Sequence, residues 1–146
     1  MIRLYTNQDR EALIELLRLN TPEFFDASEE KDFIEYLELY SRHYFVMEEG
    51  RKIVGAGGVN YMDDGKTARI SWDMVHPEAM GKGLGSRLTR YRIEQIKKHP
   101  EIQVIAVRTS QFAFQFYQKF NFRLIEIVED FWAEGIDLYH MELPLK

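Results

Sequence analysis

The segment Val75-His76-Pro77-Glu78-Ala79-Met80-Gly81-Lys82-Gly83-Leu84-Gly85-Ser86-Arg87-Leu88 sets three glycines between an apolar stretch and an amphipathic one. Glycines let a backbone approach a bulky anion without Cβ clashes. Successive amides then converge on the anion, and a helix that starts there adds partial positive charge. Met80, Gly81, Lys82, Gly83, Leu84, Gly85 and Ser86 could therefore hold a pyrophosphate, with Lys82 and Arg87 adding charge at the edge. Read alone, the same residues could form only a tight turn. No Gly-Lys-Ser/Thr follows at Walker A spacing, and the glycines do not have the spacing of a dinucleotide fingerprint.

A second segment, Thr109-Ser110-Gln111-Phe112-Ala113-Phe114-Gln115-Phe116-Tyr117-Gln118-Lys119-Phe120-Asn121-Phe122, carries a phenol among aromatic neighbours. Read alone, Tyr117 is core beside Phe116 and Phe120. Acidic residues Glu23, Asp26, Glu29, Glu30, Asp32, Glu35 and Glu38 crowd one early segment. They form either a solvated helix face or a rim that attracts a cationic substrate. The chain has no cysteine, which excludes disulfides, Cys-zinc sites and Cys nucleophiles. His43, His76, His99 and His140 are scattered without metal-ligand spacing, so no metal is expected.

These groups need elements to position them. Ile2 to Tyr5 alternates like a short strand, and Thr6 can cap a helix with Leu13, Leu16 and Leu17 on one side. Thr21-Pro22 ends that helix. Ser28-Glu29-Glu30 opens a second, with Phe33, Leu37 and Tyr40 as its buried stripe. Three strands follow at 43–48, 52–61 and 67–75, separated by Glu49-Gly50-Arg51 and Asp63-Asp64-Gly65 turns. A helix is expected over 83–98, carrying Leu84, Leu88, Tyr91 and Ile96. Then come a buried strand at 102–107, a short helix at 110–120, and strands at 123–129 and 136–143. The order βααβββαβαββ implies an α/β (α+β) fold with a mixed, twisted sheet of about seven strands and helices on both faces.

The 146 residues suit one domain spanning 1–146, and 45% hydrophobic content can build a core. The net charge of −5 argues against nucleic acid as a partner. No stretch approaches a membrane span, so no membrane partner is expected. The N-terminus shows no apolar signal region, and a cytoplasmic location is expected.

The Thr109–Phe122 segment resembles the Ala-x-x-Phe-Tyr-x-Lys-x-Gly-Phe signature of the GNAT superfamily of N-acetyltransferases. The glycine turn is similar to that superfamily's Gln/Arg-x-x-Gly-x-Gly/Ala pyrophosphate loop. Both occur in the family's order with one strand between them, and the inferred element order resembles the family fold over nearly the whole chain. Three positions depart from the pattern: Met80 stands for Gln or Arg, Ser110 for a cofactor-touching Asn, and Asn121 for Gly.

The resemblance implies acetyl transfer from acetyl-CoA to a primary amine of a small molecule or peptide, directly, in a ternary complex. It implies that strand 67–75 splays from its neighbour, so that the pantetheine arm pairs with backbone at Met74 and Val75. The Val75 amide would polarise the thioester carbonyl, Ser110 and Ala113 would touch the cofactor, and Tyr117 would protonate the leaving thiolate. Asp73, two residues before Val75, is a candidate base for the amine. It could equally make a structural hydrogen bond while water carries the proton. Glu23 and Asp26 are alternative bases. With Phe24 and Phe25 they lie in the loop that helps line the family's acceptor site. Many members are dimers, so a homodimer is compatible with the resemblance. A non-catalytic acyl-CoA-binding or sensing module on the same fold is the alternative reading.

Overall fold

A computed structural model describes residues 1–145. Its elements run β1 (Ile2–Leu4), α1 (Arg10–Leu19), α2 (Glu29–Leu39), β2 (Tyr44–Glu49), β3 (Lys52–Tyr61) and β4 (Thr67–Val75). They continue with α3 (Leu84–Lys97), β5 (Val104–Thr109), α4 (Phe114–Gln118), β6 (Arg123–Ala133) and β7 (Ile136–Pro144). This is the expected order. The strands form one seven-stranded sheet ordered β1-β2-β3-β4-β5-β7-β6. It is mixed: β4 pairs with β5 in parallel, whereas β1·β2, β2·β3, β5·β7 and β6·β7 are antiparallel. The chain clusters into two compact units, residues 1–59 with 72–92 and residues 60–71 with 93 onward.

In the first unit, Leu13, Leu16 and Leu17 recur at helical spacing and bury one face of α1. They pack with Phe33, Tyr36 and Leu37 of α2 and with Tyr44, Val46, Ala56 and Met74 of the strands. Each such aliphatic side chain contributes roughly 1.5–3 kcal/mol by burial. The buried stripe of α2 differs from expectation. Tyr40 is 56% exposed and Tyr36 takes its place. The helix ends at Leu39, and Tyr40 leaves it with φ −130°, so its side chain no longer follows the helical face. At the entry to α1, Thr6 caps the turn Asn7–Asp9 that leads into the helix, as expected. The Asp9 carboxylate reaches back to accept the Thr6 N–H at 2.9 Å and is clamped by Arg3 at 2.8 and 2.9 Å. The Arg3 hydrogen bonds, outweighing burial, hold the Asp9 carboxyl below its usual range.

In the second unit, Val104–Val107 of β5 run beside Thr67–Ile70 of β4 on one side and Met141–Pro144 of β7 on the other. Strand β5 buries Ile105, Ala106 and Val107 in succession, as a central strand covered on both faces does, and β7 buries Leu138 and Met141. Two elements depart in length from the sequence reading. The short helix covers only Phe114–Gln118, because residues 110–113 form a turn in which the amides of Ala113 and Phe114 donate to the Ser110 carbonyl. Strand β6 continues to Ala133 through an irregularity after Val128, where Asp130 has φ 55°. Asn121 has φ 71°, the left-handed conformation that Asn tolerates after a helix.

Candidate active site

In the first unit the site is built on the end of β4. The parallel ladder with β5 runs from Thr67 to Ile70, and the register stops there. Beyond that point Trp72 has φ 52°, an uncommon conformation for so bulky a residue. A hydrogen bond and ring packing hold it there. The Tyr44 hydroxyl donates to the Trp72 carbonyl at 2.8 Å, and burial pushes the Tyr44 phenol well up, keeping it a neutral donor. The Trp72 ring packs on Phe33 at 5.0 Å and stacks on Phe25 at 5.8 Å and 19°. Next in the strand, Met74 buries its side chain in the core, so only its backbone is available to a ligand. The Val75 carbonyl accepts from the Asn20 side-chain amide at 3.3 Å, which also caps Leu16 at 2.9 Å and ties the end of α1 to the end of β4.

Past Val75, the His76 N–H donates to Val54 and its ring Nδ1 accepts from Glu78 N–H at 3.1 Å. The chain then reaches the glycine turn. Gly81 and Gly83 have φ 81° and 79°, where any Cβ would strain the backbone, and nothing lies within 4 Å of either Cβ position. Arg87 is the first amide to bond backward, to the Gly83 carbonyl at 3.0 Å. The amides of Leu84, Gly85 and Ser86 therefore precede the ladder of α3, as the first N–H groups of any helix do. Met80, Gly81, Lys82 and Gly83 are exposed, with Lys82 and Arg87 cationic beside them. Open glycines, unladdered amides and two cations suit a diphosphate. Met80 is 41% exposed and takes an extended conformation, so it gives backbone rather than a polar side chain.

Asp73 has a partner that the sequence did not reveal. Arg92, on α3, is fully buried and donates to both Asp73 oxygens at 2.5 and 2.8 Å, and to the Gly58 carbonyl at 3.1 Å. Gly57 makes room for this pair: a Cβ there would stand 2.7 Å from Arg92 Nη1 and 2.8 Å from Asp73 Oδ1. An arginine within an amphipathic helix reads as surface, so only the fold exposes its role. A small signal existed in the Gly55-Ala56-Gly57-Gly58 run, since glycines in a strand mark close approach.

The loop between α1 and α2 carries the other expected carboxylates. Asp26 accepts the Ser28 hydroxyl at 2.5 Å and the Ser28 amide at 2.9 Å, which hold its carboxyl below the usual range. Glu29 is buried, and desolvation raises its carboxyl although it accepts the Asp26 amide at 2.8 Å. Glu23 is exposed, and no hydrogen bond or ion pair commits it among the described residues. Phe24 is half-buried, and Phe25 rests on Trp72. The rest of the acidic run (Asp32, Glu35 and Glu38) is exposed on α2 as a solvated face, and Glu30 pairs with Arg18 at 2.7 Å.

In the second unit, Ser110 is 7% exposed and its hydroxyl accepts the Phe112 amide at 3.2 Å. Its side chain thus shapes the turn before α4, and Ala113 stands at the cap of that helix. Tyr117 is 5% exposed, edge-on to Phe116 at 5.1 Å and Phe122 at 5.8 Å. It is thus packed among aromatic neighbours, which fix its ring orientation.

Residues 8–145 match the family described as Acetyltransferase (GNAT) domain. A curated N-alpha-acetyltransferase of Sulfolobus acidocaldarius is 26% identical over 99% of this chain and 92% of its own length. Among solved structures, Ard1 from Thermoplasma volcanium aligns with a TM-score of 0.84 at 15% identity, over 100% of this chain and 97% of that one. The protein yncA from Salmonella typhimurium, solved with its cofactor acetyl-CoA, aligns with a TM-score of 0.76 at 20% identity, over 100% and 94%. Among the described residues no group of three or more His, Asp or Glu side chains could hold a metal, and no helix is long and apolar enough to cross a membrane.

Proposed function

The chain belongs to the GNAT acetyltransferase family, and from that premise we propose that it acetylates a primary α-amine by direct transfer within a ternary complex, as one catalytic domain spanning 1–146. It is an N-acetyltransferase, and acetyl-CoA, its co-substrate, supplies the activated acyl group. The observation that carries the reading is the end of β4 followed by the open glycine turn. There, unladdered amides, two positive-φ glycines and two cations stand where a diphosphate can be held. The α-amine is favoured by the relative named N-alpha-acetyltransferase, and the cytoplasm by the cysteine-free composition.

Gly81, Lys82, Gly83, Leu84, Gly85 and Ser86 bind the diphosphate, chiefly through backbone. Met74 and Val75 offer strand backbone to the pantetheine arm, because the β4–β5 register ends at Ile70. The Val75 amide polarises the thioester carbonyl. Ser110 and Ala113 hold the turn that begins the second motif, and Tyr117 gives a proton to the departing thiolate. A free thiol has a pKa of about 8.5, so that proton eases departure at neutral pH.

An α-amine with a pKa of about 8 must lose a proton before attack. Both Asp73 oxygens accept from Arg92, so we assign Asp73 the fixing of β4 rather than proton removal. Asp26 is held low by Ser28 and makes a poor base. The proton then passes to water, with Glu23 the uncommitted carboxylate of the acceptor loop, beside Phe24 and Phe25.

Calorimetric titration with acetyl-CoA, followed by thiol release against peptides with free and blocked α-amines, tests this. Saturable binding with release only from the free α-amines is expected. In Tyr117→Phe the turnover should fall about 10²-fold while CoA affinity stays. Binding without release from any amine would replace the enzyme by the acyl-CoA sensor, and absence of binding would overturn the glycine-turn assignment.

A further inference from the structure

The acceptor loop is acidic, yet a cationic pair stands elsewhere, in the second unit. Arg69 on β4 is in register with Ala106 of β5. Arg108 lies two residues further along β5, so the strand period puts both guanidinium stems on one face of the sheet. Arg69 is half-buried, and its Nε is enclosed without any hydrogen-bond partner. Burial, with the charge of Arg108 adding to it, pushes the Arg69 guanidinium below its ordinary value. Among the described residues neither arginine forms an ion pair. The nearest carboxylate on that face by register is Glu142, opposite Ala106, and it is engaged by His140 Nε2 at 3.1 Å.

Two like charges side by side, one with an orphaned buried donor, cost stability. Such unpaid local costs concentrate at functional positions. Aromatic side chains pack against Arg108. The Arg108 guanidinium carbon lies 4.8 Å from the Phe131 ring centroid and 5.6 Å from that of Trp132. Trp132 is itself fixed by its indole N–H on the Thr109 carbonyl at 3.0 Å. Phe131 is 45% exposed and leaves an apolar surface next to the charge.

We propose that Arg69 and Arg108 form a binding site for the carboxylate of a small organic ligand, whose carbon skeleton lies on Phe131. The two terminal nitrogens of the Arg69 guanidinium make a planar edge that matches a carboxylate's two oxygens. Arg108, held by cation–π contact with the two rings, supplies the second charge. The site stands whether or not the transferase reading above holds.

The test is an NMR titration of the full chain, following the arginine Nε–H signals. The probes are glutarate, which carries carboxylates and no amine, and its neutral diamide at equal ionic strength. Glutarate is expected to shift the Arg69 and Arg108 signals saturably, and the diamide to leave them in place. Arg69→Gln and Arg108→Gln should each weaken glutarate binding about ten-fold or more, the loss of one charge-assisted contact. Arg69→Gln should keep or raise Tm, because it removes the orphaned donor, so lost binding is not lost folding. Equal responses to glutarate and diamide, or unchanged glutarate affinity in both variants, would overturn the proposal.

Kinetics then identify the source of the carboxylate. If the acceptor carries it, Arg69→Gln raises KM for a peptide beginning with Asp and spares one beginning with Asn. If a separate effector carries it, glutarate changes the rate on the Asn peptide in the native protein and not in Arg69→Gln. The binding arm needs no turnover, so it reads the site even from a protein that transfers nothing.

Discussion

Removing either partner of the Asp73–Arg92 pair should destabilise the protein, but by unequal amounts. The Arg92 side chain is 0% exposed and Asp73 is 20% exposed. Asp73→Leu leaves a guanidinium that cannot deprotonate, enclosed and without its carboxylate, though still donating to the Gly58 carbonyl and to its own helix. Losing the partner of a buried charge costs about 3–5 kcal/mol. Arg92→Met leaves a carboxylate that reaches water and can also protonate. Its loss is the unsatisfied Gly58 carbonyl plus a partly solvated acid, about 1–3 kcal/mol. The double variant replaces the pair with apolar groups and should recover most of the loss, giving a coupling of roughly 2 kcal/mol or more. Urea unfolding at pH 7 reads all four proteins, with unchanged m values required for the comparison. An additive cycle, or a larger loss in Arg92→Met, would refute the burial argument. A further substitution at the same position decides the proton question. Asp73→Asn should lower the rate while the pH profile of kcat/KM keeps its shape. Loss of the ascending limb would make Asp73 the base and reverse the assignment made above.

Two further outcomes follow from local geometry. Gly83→Val forces a β-branched residue to φ 79° with no steric neighbour to blame, a backbone cost of about 1–2 kcal/mol. Acetyl-CoA affinity, read by calorimetry, should fall about ten-fold as the turn relaxes away from its binding shape. Asp9 contributes acid-sensitive stability. Its carboxyl is held below 3.8 in the folded state by the Arg3 hydrogen bonds and the Thr6 amide. A depressed folded value means that the stabilisation is full above the unfolded value and is lost as pH falls below about 3.8. Denaturation midpoints measured from pH 6 down to pH 2 should show a shallower acid decline in Asp9→Asn, and an identical decline would contradict it.

The sequence by itself determined the element order, because that order rests on local signals. Apolar spacing of 3.6 residues marks α1 and α3, Asp-Gly and Glu-Gly turns separate β2, β3 and β4, and the glycine turn announces an anion site wherever it lies in space. It also determined the family, through two motifs in the right order. What it could not determine were partnerships between residues far apart in the chain. Asp73 meets Arg92 on another element, the Asn20 amide finds the Val75 carbonyl 55 residues away, and Trp72 is held at positive φ by Tyr44. Tyr40 and Tyr36 are equally good candidates for burial until the helix end fixes which one faces inward. Arg69 and Arg108 look like ordinary strand arginines until parallel register puts them on one face and enclosure strips Arg69 Nε of water. Local propensity acts over a few residues, whereas burial, charge pairing and register are set by which segments meet, and that is decided only when the chain is folded.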